Sequence, residues 1–192
     1  MSRRQQILEA FRKRLHHYGY DKTAMAEIAA DVGISVGSLY LEFDSKEDIL
    51  AGLVEETSRE FEHAFSAIAG SDRAWAEKLR EVLLARVALS DRCCREGAHA
   101  GEVVTAAQKC RRVAADKEAR YQQLLERLLR EGMGAGELEQ GDPVSTARVL
   151  REAISVYLPP LSQVRSSEEV LEGAEALVSL LIRGLSAQYQ RA

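Results

Sequence analysis

Residues 29–35 of the chain are Ala29-Ala30-Asp31-Val32-Gly33-Ile34-Ser35, and this stretch decides the fold of the N-terminal region. The small side chain of Ala29 lets two helices approach closely, and Gly33, four residues later, suits the tight turn between them. Ile34 fills the corner that the turn creates. The spacing predicts a helix-turn-helix, a motif whose second helix enters the major groove of DNA.

Helical patterns surround this motif. Apolar residues recur at helical spacing over residues 3–18, at Ile7, Leu8, Phe11 and Leu15. Gly19 is predicted to end that helix as a left-handed cap, and Thr23 to cap a short second helix. Ser35 is predicted to cap a third short helix, and Ser45 to open a long fourth one. Three short helices in about 45 residues form a self-contained unit.

The remainder of the chain also predicts helices. They run over residues 46–69, 74–90, from after 101 to about 131, 142–157 and 167–189, with a loop or a frayed short helix at 91–101. The expected fold is therefore all-α. We expect two domains: a helix-turn-helix DNA-binding domain over residues 1–45 and a larger helical domain over residues 46–192.

Composition excludes several classes of protein. The 192 residues are 46% hydrophobic and 29% charged, with a net charge of -4, so an ordered core is expected. No apolar stretch approaches the length of a membrane-spanning helix, and no membrane partner is expected. Three cysteines are an odd number for a disulfide framework, which favours a reducing cytoplasm.

Charge is unevenly distributed near the N-terminus. Residues 1–23 carry six basic and two acidic side chains, whereas residues 24–50 carry one basic and six acidic side chains. A basic arm containing Arg3 and Arg4 therefore precedes an acidic segment. We expect these two arginines to contact phosphates or an adjacent groove of DNA.

The segment from Ile7 to Leu50 resembles the TetR family of bacterial transcriptional regulators. The matching residues, in the family's order and spacing, are Ile7–Ala10, Tyr18–Tyr20, Thr23, Glu27–Ala29, Val32–Ser35, Gly37–Tyr40, Phe43 and Ser45–Glu47. The resemblance implies a homodimeric repressor that binds operator double-stranded DNA and is released by a small-molecule effector. It also implies no enzymatic activity, and we expect no cofactor and no bound metal.

The resemblance also implies which residues contact DNA. Those at positions where the family commonly touches phosphates are Thr23, Ser35, Tyr40 and Lys46, and those facing base edges are Val36, Gly37 and Ser38. Two positions depart from the family's pattern, because Val36 replaces a common lysine or arginine and Glu42 replaces a common histidine. With no Arg, Lys or Gln on the third helix, direct base reading is sparse, and DNA shape is expected to contribute to specificity.

The second domain is expected to hold the effector and the dimer interface. Candidate effector-binding residues, on the long central helices, are Phe65, Trp75, Val87, Tyr121 and Tyr157. The last two helices are expected to pack against their copies in a four-helix bundle. Its apolar seam would consist of Leu177, Leu180, Leu181 and Leu185.

Three other functions are compatible with parts of the sequence, and the last two of them remain open. Residues 33–37 fit the G-x-S-x-G elbow of hydrolases, but the elbow requires a preceding strand, and the pattern there is helical. Thiol or metal sensing is a second alternative, based on Cys93, Cys94, His99 and Cys110. A helical interaction protein that has lost DNA binding is a third, suggested by Val36, Glu42 and the acidic segment.

Overall fold

The structure, a computed structural model, describes residues 1–99, 106 and 111–186, except for the side chains of residues 111, 112 and 114. The described residues form eight α-helices and no β-strand, which confirms the all-α prediction. The helices are α1 (Arg3–Tyr18), α2 (Met25–Val32), α3 (Val36–Tyr40), α4 (Lys46–Ala69), α5 (Trp75–Arg95), α6 (Arg111–Gly134), α7 (Pro143–Ile154) and α8 (Ser167–Leu185). Short 3₁₀ turns at Ser155–Tyr157 and Leu161–Val164 separate the last two.

The predicted starts of α3, α7 and α8 are confirmed, and each depends on a cap formed by nearby residues. Ser35 caps α3 by accepting a hydrogen bond from the Ser38 amide (3.1 Å). Asp142 caps α7 by accepting hydrogen bonds from the Val144 and Ser145 amides, and Pro143 follows in the first turn. Ser166 and its box partner three residues later open α8.

Other helix ends differ from the predictions. Gly19 has a positive φ of 83°, but its ψ of 171° lies outside the left-handed helical region. Helix α2 is capped by Ala24, not Thr23. Helix α5 continues to Arg95, so the predicted loop at 91–101 begins later. Helix α8 ends at Leu185, and the predicted end at Tyr189 lies outside the described residues.

The chain divides into two compact units. The first comprises Met1–Arg59 with the described residues of Arg92–Ala115, and the second comprises Glu60–Asp91 with the described residues from Asp116 onward. All of the predicted DNA-binding domain, residues 1–45, lies in the first unit. The predicted boundary at 45/46 falls inside that unit, because the first turns of α4 supply Ile49, Leu50 and Leu53 to its core.

The first unit has a continuous apolar core between α1, α2, α3 and the start of α4. Phe11, Ile28 and Leu39 are buried within it, one from each of the three short helices. An ion pair closes the same packing at the surface, where Arg14 on α1 binds Asp31 on α2 through two nitrogens. These contacts fix the orientation of α3 on the other helices.

The second unit packs the later part of α4 with α5, α6, α7 and α8. Its buried side chains include Phe65, Trp75, Leu83, Leu125 and Val178, which come from α4, α5, α6 and α8. None of the described helices is both long and apolar enough to span a membrane.

Candidate DNA-binding and effector sites

The corner between α2 and α3 has the geometry that the sequence predicts. Gly33 adopts the left-handed conformation (φ 73°, ψ 33°), which favours glycine, and its amide donates to the last carbonyls of α2. The Ile34 amide donates to the Ala29 carbonyl (3.0 Å), which closes the turn. The element before Gly33 is helix α2, whereas a hydrolase elbow requires a strand there.

Helix α3 presents an exposed face. Val36 is 40% exposed and Tyr40 is 49% exposed, and Gly37 between them is also exposed. Ser38 is half-buried, with its Oγ atom 2.8 Å from that of Ser35. A Cβ atom added at Gly37 would have only the Ser35 hydroxyl within 4 Å, at 3.9 Å. The surface at this point is therefore smooth enough for close approach by another molecule.

Two residues predicted to touch phosphates are engaged within the protein. Thr23 is 1% exposed, and its hydroxyl donates to the Gly19 carbonyl (2.8 Å). Its side chain thus faces the core, where its hydroxyl cannot reach a phosphate. The Lys46 ammonium donates to the Tyr20 carbonyl (2.9 Å) and lies 4.3 Å from the Tyr20 ring centre. Lys46 is half-buried and begins α4.

The two arginines of the basic arm have different environments. Ser2 caps α1, so Arg3 and Arg4 lie in its first turn, and both are exposed. The Arg4 guanidinium donates to the Glu42 carbonyl (3.0 Å) and stacks on the Phe43 ring at 4.0 Å. Arg4 therefore joins α1 to the segment after α3, in addition to any role at DNA.

The acidic segment is partly neutralised within the first unit. Arg14 binds both Asp31 and Glu27, the latter at 3.1 Å. The hydrogen bonds from Arg14 lower the pKa of Asp31, and those same bonds raise the pKa of Arg14. Two of the six acids of residues 24–50 are thus paired with a cation. The acidic segment therefore repels DNA phosphates less than its sequence suggests.

The five candidate effector residues lie in three different places. Phe65 and Tyr121 contact each other, with ring centres 5.3 Å apart. Val87 belongs to a separate cluster with α8, against which Tyr157 packs. Trp75 lies beside Gly132, where an added Cβ would come within 2.6 Å of the indole ring. Four of the five are buried and Tyr157 is half-buried.

Sequence reasoning missed a buried charged residue that lies beside Tyr121. Arg86 on α5 is 5% exposed, and its guanidinium carbon lies 4.1 Å from the Tyr121 ring centre. One of its nitrogens donates to Glu118 (2.5 Å) on α6. The signal was present in the sequence, because Arg86 falls on the apolar stripe of α5 with Leu79, Val82 and Leu83.

The structure describes two of the three cysteines behind the thiol-sensing alternative. Cys93 and Cys94 are half-buried in the last turn of α5, and Cys110 lies outside the described residues. Among the described side chains, His99 included, no three His, Cys, Asp or Glu residues form a metal-binding group.

The predicted seam residues retain exposed apolar surface on α8. Leu180 is 61% exposed, and Leu177, Leu181 and Leu185 are half-buried. Ala174 and Val178 are buried in the second unit, and Leu181 and Leu185 continue the same stripe of α8 at helical spacing. Leu180 lies on a different side of the helix and is the seam residue with the most exposed apolar surface.

Comparisons with known proteins agree with this architecture. The sequence model of bacterial regulatory proteins of the tetR family matches residues 7–53. Over this helix-turn-helix region the chain is similar to the TetR family. The match supports a transcriptional regulator with a helix-turn-helix domain.

Similar proteins match this chain well beyond the N-terminal domain. A fatty acid metabolism regulator protein of Bacillus subtilis is 28% identical over 149 residues, which is 74% of each chain. A TetR/AcrR-family regulator of Thermobifida fusca has a TM-score of 0.75 and 26% identity, covering 95% of this chain and 97% of the other. FadR from Bacillus subtilis, solved with stearoyl-CoA, has a TM-score of 0.71 and 22% identity, covering 94% and 98%.

Proposed function

We propose that this protein is a homodimeric repressor that binds operator double-stranded DNA in the cytoplasm and is released by a small-molecule effector. The observation that carries the proposal is the exposed face of α3, held by the Gly33 turn and the Ser35 cap. Val36, Gly37 and Tyr40 all reach solvent there, as a recognition helix requires.

Base reading by this helix relies on weak contacts. Ser38 supplies a hydroxyl, Val36 supplies methyl groups that suit thymine, and Gly37 permits close approach. The phosphate contacts come from Ser35, Tyr40 and Lys46, together with Arg3 and Arg4. Such a set positions the helix firmly but reads few bases, so the shape of the operator contributes to specificity.

The homodimer is proposed from large apolar side chains that α7 and α8 expose. Val144 and Val149 on α7 are 49% and 54% exposed, and Leu171 and Leu180 on α8 are 42% and 61% exposed. Several large apolar side chains exposed on two consecutive helices are typical of an interface. Pairing these helices with their copies would form a four-helix bundle along the seam Leu177–Leu185.

The proposed effector acts by shifting the population of dimers. A dimer binds two half-sites about 34 Å apart, so only one arrangement of its recognition helices is competent. An effector with higher affinity for the other arrangement lowers the competent fraction. Because one relative regulates fatty acid metabolism and a similar fold was solved with stearoyl-CoA, a fatty acyl compound is the first effector to test.

Fluorescence anisotropy tests the proposal. A labelled duplex carrying the region upstream of the protein's own gene is titrated with the full chain, and stearoyl-CoA is then added. We expect binding much tighter than to a scrambled duplex of the same length, and release on addition of the ligand. Equal affinity for both duplexes would overturn the repressor proposal and favour a helical interaction protein.

A further inference from the structure

Arg86 is a buried cation whose hydrogen-bonding capacity is largely unused. The residue is 5% exposed, and Nη2 is engaged by Glu118 at 2.5 Å. Neither Nε nor Nη1 has a hydrogen-bond partner among the described residues. Those two nitrogens carry three of the five guanidinium N–H bonds, and leaving buried donors unpaired is costly.

Tyr121 adds a second unpaired polar group beside it. The residue is 3% exposed, and its hydroxyl likewise has no partner within the described part of the chain. The Arg86 guanidinium stacks on the same ring at 4.1 Å. Two neighbouring residues from different helices therefore both have buried polar atoms without a hydrogen-bond partner. This points to a binding partner that the protein itself does not supply.

The surroundings of this pair are apolar and aromatic. Phe65 lies 5.3 Å from Tyr121 between ring centres, and Phe61 lies 6.1 Å from Phe65. These rings come from α4, whereas Arg86 is on α5 and Tyr121 is on α6. Two helices of the second unit thus place unpaired donors beside aromatic rings from a third.

We propose that Arg86 and Tyr121 bind the anionic end group, a carboxylate or phosphate ester, of an apolar effector. The inference rests on the proposed effector response and specifies the chemical class of the ligand. An acceptor-only group satisfies the free guanidinium N–H bonds and accepts from the phenol at the same time. A neutral alcohol has fewer acceptor sites and no charge, so it fits the pair less well.

Glu118 does not remove the need for such a ligand. Its side chain is 36% exposed, so water screens much of its charge, while the guanidinium of Arg86 is enclosed. It also occupies only one of the three guanidinium nitrogens. We infer that Glu118 orients Arg86 and leaves the remaining donors for the ligand.

Four probes with the same twelve-carbon chain separate the alternatives: dodecanoate, dodecyl phosphate, 1-dodecanol and dodecanoyl-CoA. Binding to the full chain is followed by the fluorescence of the single tryptophan, Trp75, and by calorimetry. We expect the two simple anions, dodecanoate and dodecyl phosphate, to bind at least tenfold more tightly than the alcohol. The carboxylate and the phosphate ester identify which anion is preferred, and the thioester tests whether a larger head group enters.

Variants test the two residues separately. Tyr121→Phe removes only the unpaired hydroxyl, so we expect a free protein at least as thermally stable as the wild type but with about tenfold weaker anion binding. Arg86→Gln is expected to weaken anion binding about a hundredfold and to leave the alcohol unaffected. Arg130→Gln, which removes an exposed arginine of α6, is the matched control and should bind as the wild type does.

The proposal is overturned if neither anion binds, if the alcohol binds as tightly as the anions, or if Tyr121→Phe retains full affinity for them. Arg86→Lys is a second variant in case Arg86→Gln fails to fold. It keeps the positive charge but loses the planar set of guanidinium N–H donors. DNA binding is measured separately. A protein that binds the anions but no operator would refute the repressor proposal and leave this inference intact.

Discussion

Tyr40 is the residue whose role at DNA is most sharply testable. It is 49% exposed at the C-terminal end of α3, where its phenol can donate to a phosphate. Tyr40→Phe is expected to weaken binding about fivefold to tenfold on specific and random duplexes alike, since phosphate contacts carry no sequence information. Fluorescence anisotropy with both duplexes measures this effect.

Tyr18→Phe is the control for that experiment, because Tyr18 is an equally exposed phenol (47%) at the end of α1. It should leave both affinities unchanged. A change of base preference in Tyr40→Phe, with random binding unaffected, would mean that Tyr40 reads a base edge.

Individual residues also show where sequence reasoning succeeds. The caps at Ser35, Asp142 and Ser166 depend on groups two or three residues away, so a linear pattern contains all the necessary information. Thr23 shows the limit of such reasoning even locally. Its hydroxyl binds backward to Gly19, and Glu27 caps the free Ala24 amide from within α2 instead.

At the scale of elements, contacts between residues distant in sequence explain two differences from the prediction, the longer α5 and the buried Arg86. Helix α5 continues past Ser90 because Asp91 is buried and accepts a hydrogen bond from Ser167, 76 residues later. Arg86 is tolerated on the apolar face of the same helix because Glu118, on α6, binds it. Both partners are distant in sequence, so the end of α5 was predicted too early. The position of Arg86 on the apolar stripe can be read locally, but its partner Glu118 cannot.

The contact between α5 and α6 gives a stability prediction. Gly132→Ala would place a Cβ 2.6 Å from the ring of Trp75, which is 2% exposed and cannot move aside freely. We expect the free energy of unfolding to fall by about 1–3 kcal/mol, as for other overpacked sites. Urea unfolding followed by Trp75 fluorescence measures it.

Gly134→Ala is the matched control, two residues later in the same helix. A Cβ at Gly134 would have no atom within 4 Å among the described residues, so the free energy of unfolding should change by less than about 0.5 kcal/mol. Equal destabilisation by both substitutions would mean that the indole contact does not determine the cost, because alanine is a better helix former than glycine.

The junction of α1 and α2 gives a prediction about pH. Hydrogen bonds from Arg14 lower the pKa of Asp31 in the folded state, so the ion pair stabilises the fold above the unfolded pKa of about 3.9 and this contribution is lost as the pH falls below it. Asp31→Asn should therefore be less stable than the wild type at pH 7, by no more than about 1 kcal/mol because the pair is partly exposed.

The difference between the two proteins should shrink as the pH is lowered from 5 to about 3, as measured by thermal unfolding. Asp21→Asn, which alters an exposed acid of the same unit, serves as the control. A difference that stays constant with pH would show that the carboxylate of Asp31 acts through packing and not through its charge.

At the scale of the whole molecule, the proposed dimer depends on the outer face of α8. Leu180 is 61% exposed within one subunit, so Leu180→Glu should leave the subunit folded while placing charges in the seam of the bundle. We expect monomers in sedimentation velocity and weakened operator binding, because a single recognition helix loses the second half-site.

Leu161→Glu is the control for this substitution, since Leu161 is similarly exposed (58%) but lies in the 3₁₀ turn before α8. It should remain dimeric. Persistence of the dimer in Leu180→Glu would place the interface on a different surface.

Hydroxyl-radical footprinting of the upstream duplex tests the central claim most directly, because it reports DNA binding, half-site geometry and stoichiometry together. The wild-type protein is predicted to protect two segments on one face of the duplex, with centres about one helical turn (~34 Å) apart. Leu180→Glu should lose the paired pattern at the same concentration. Uniform protection along the duplex, or none at concentrations that saturate anisotropy, would contradict the account of a dimer that binds its operator through α3.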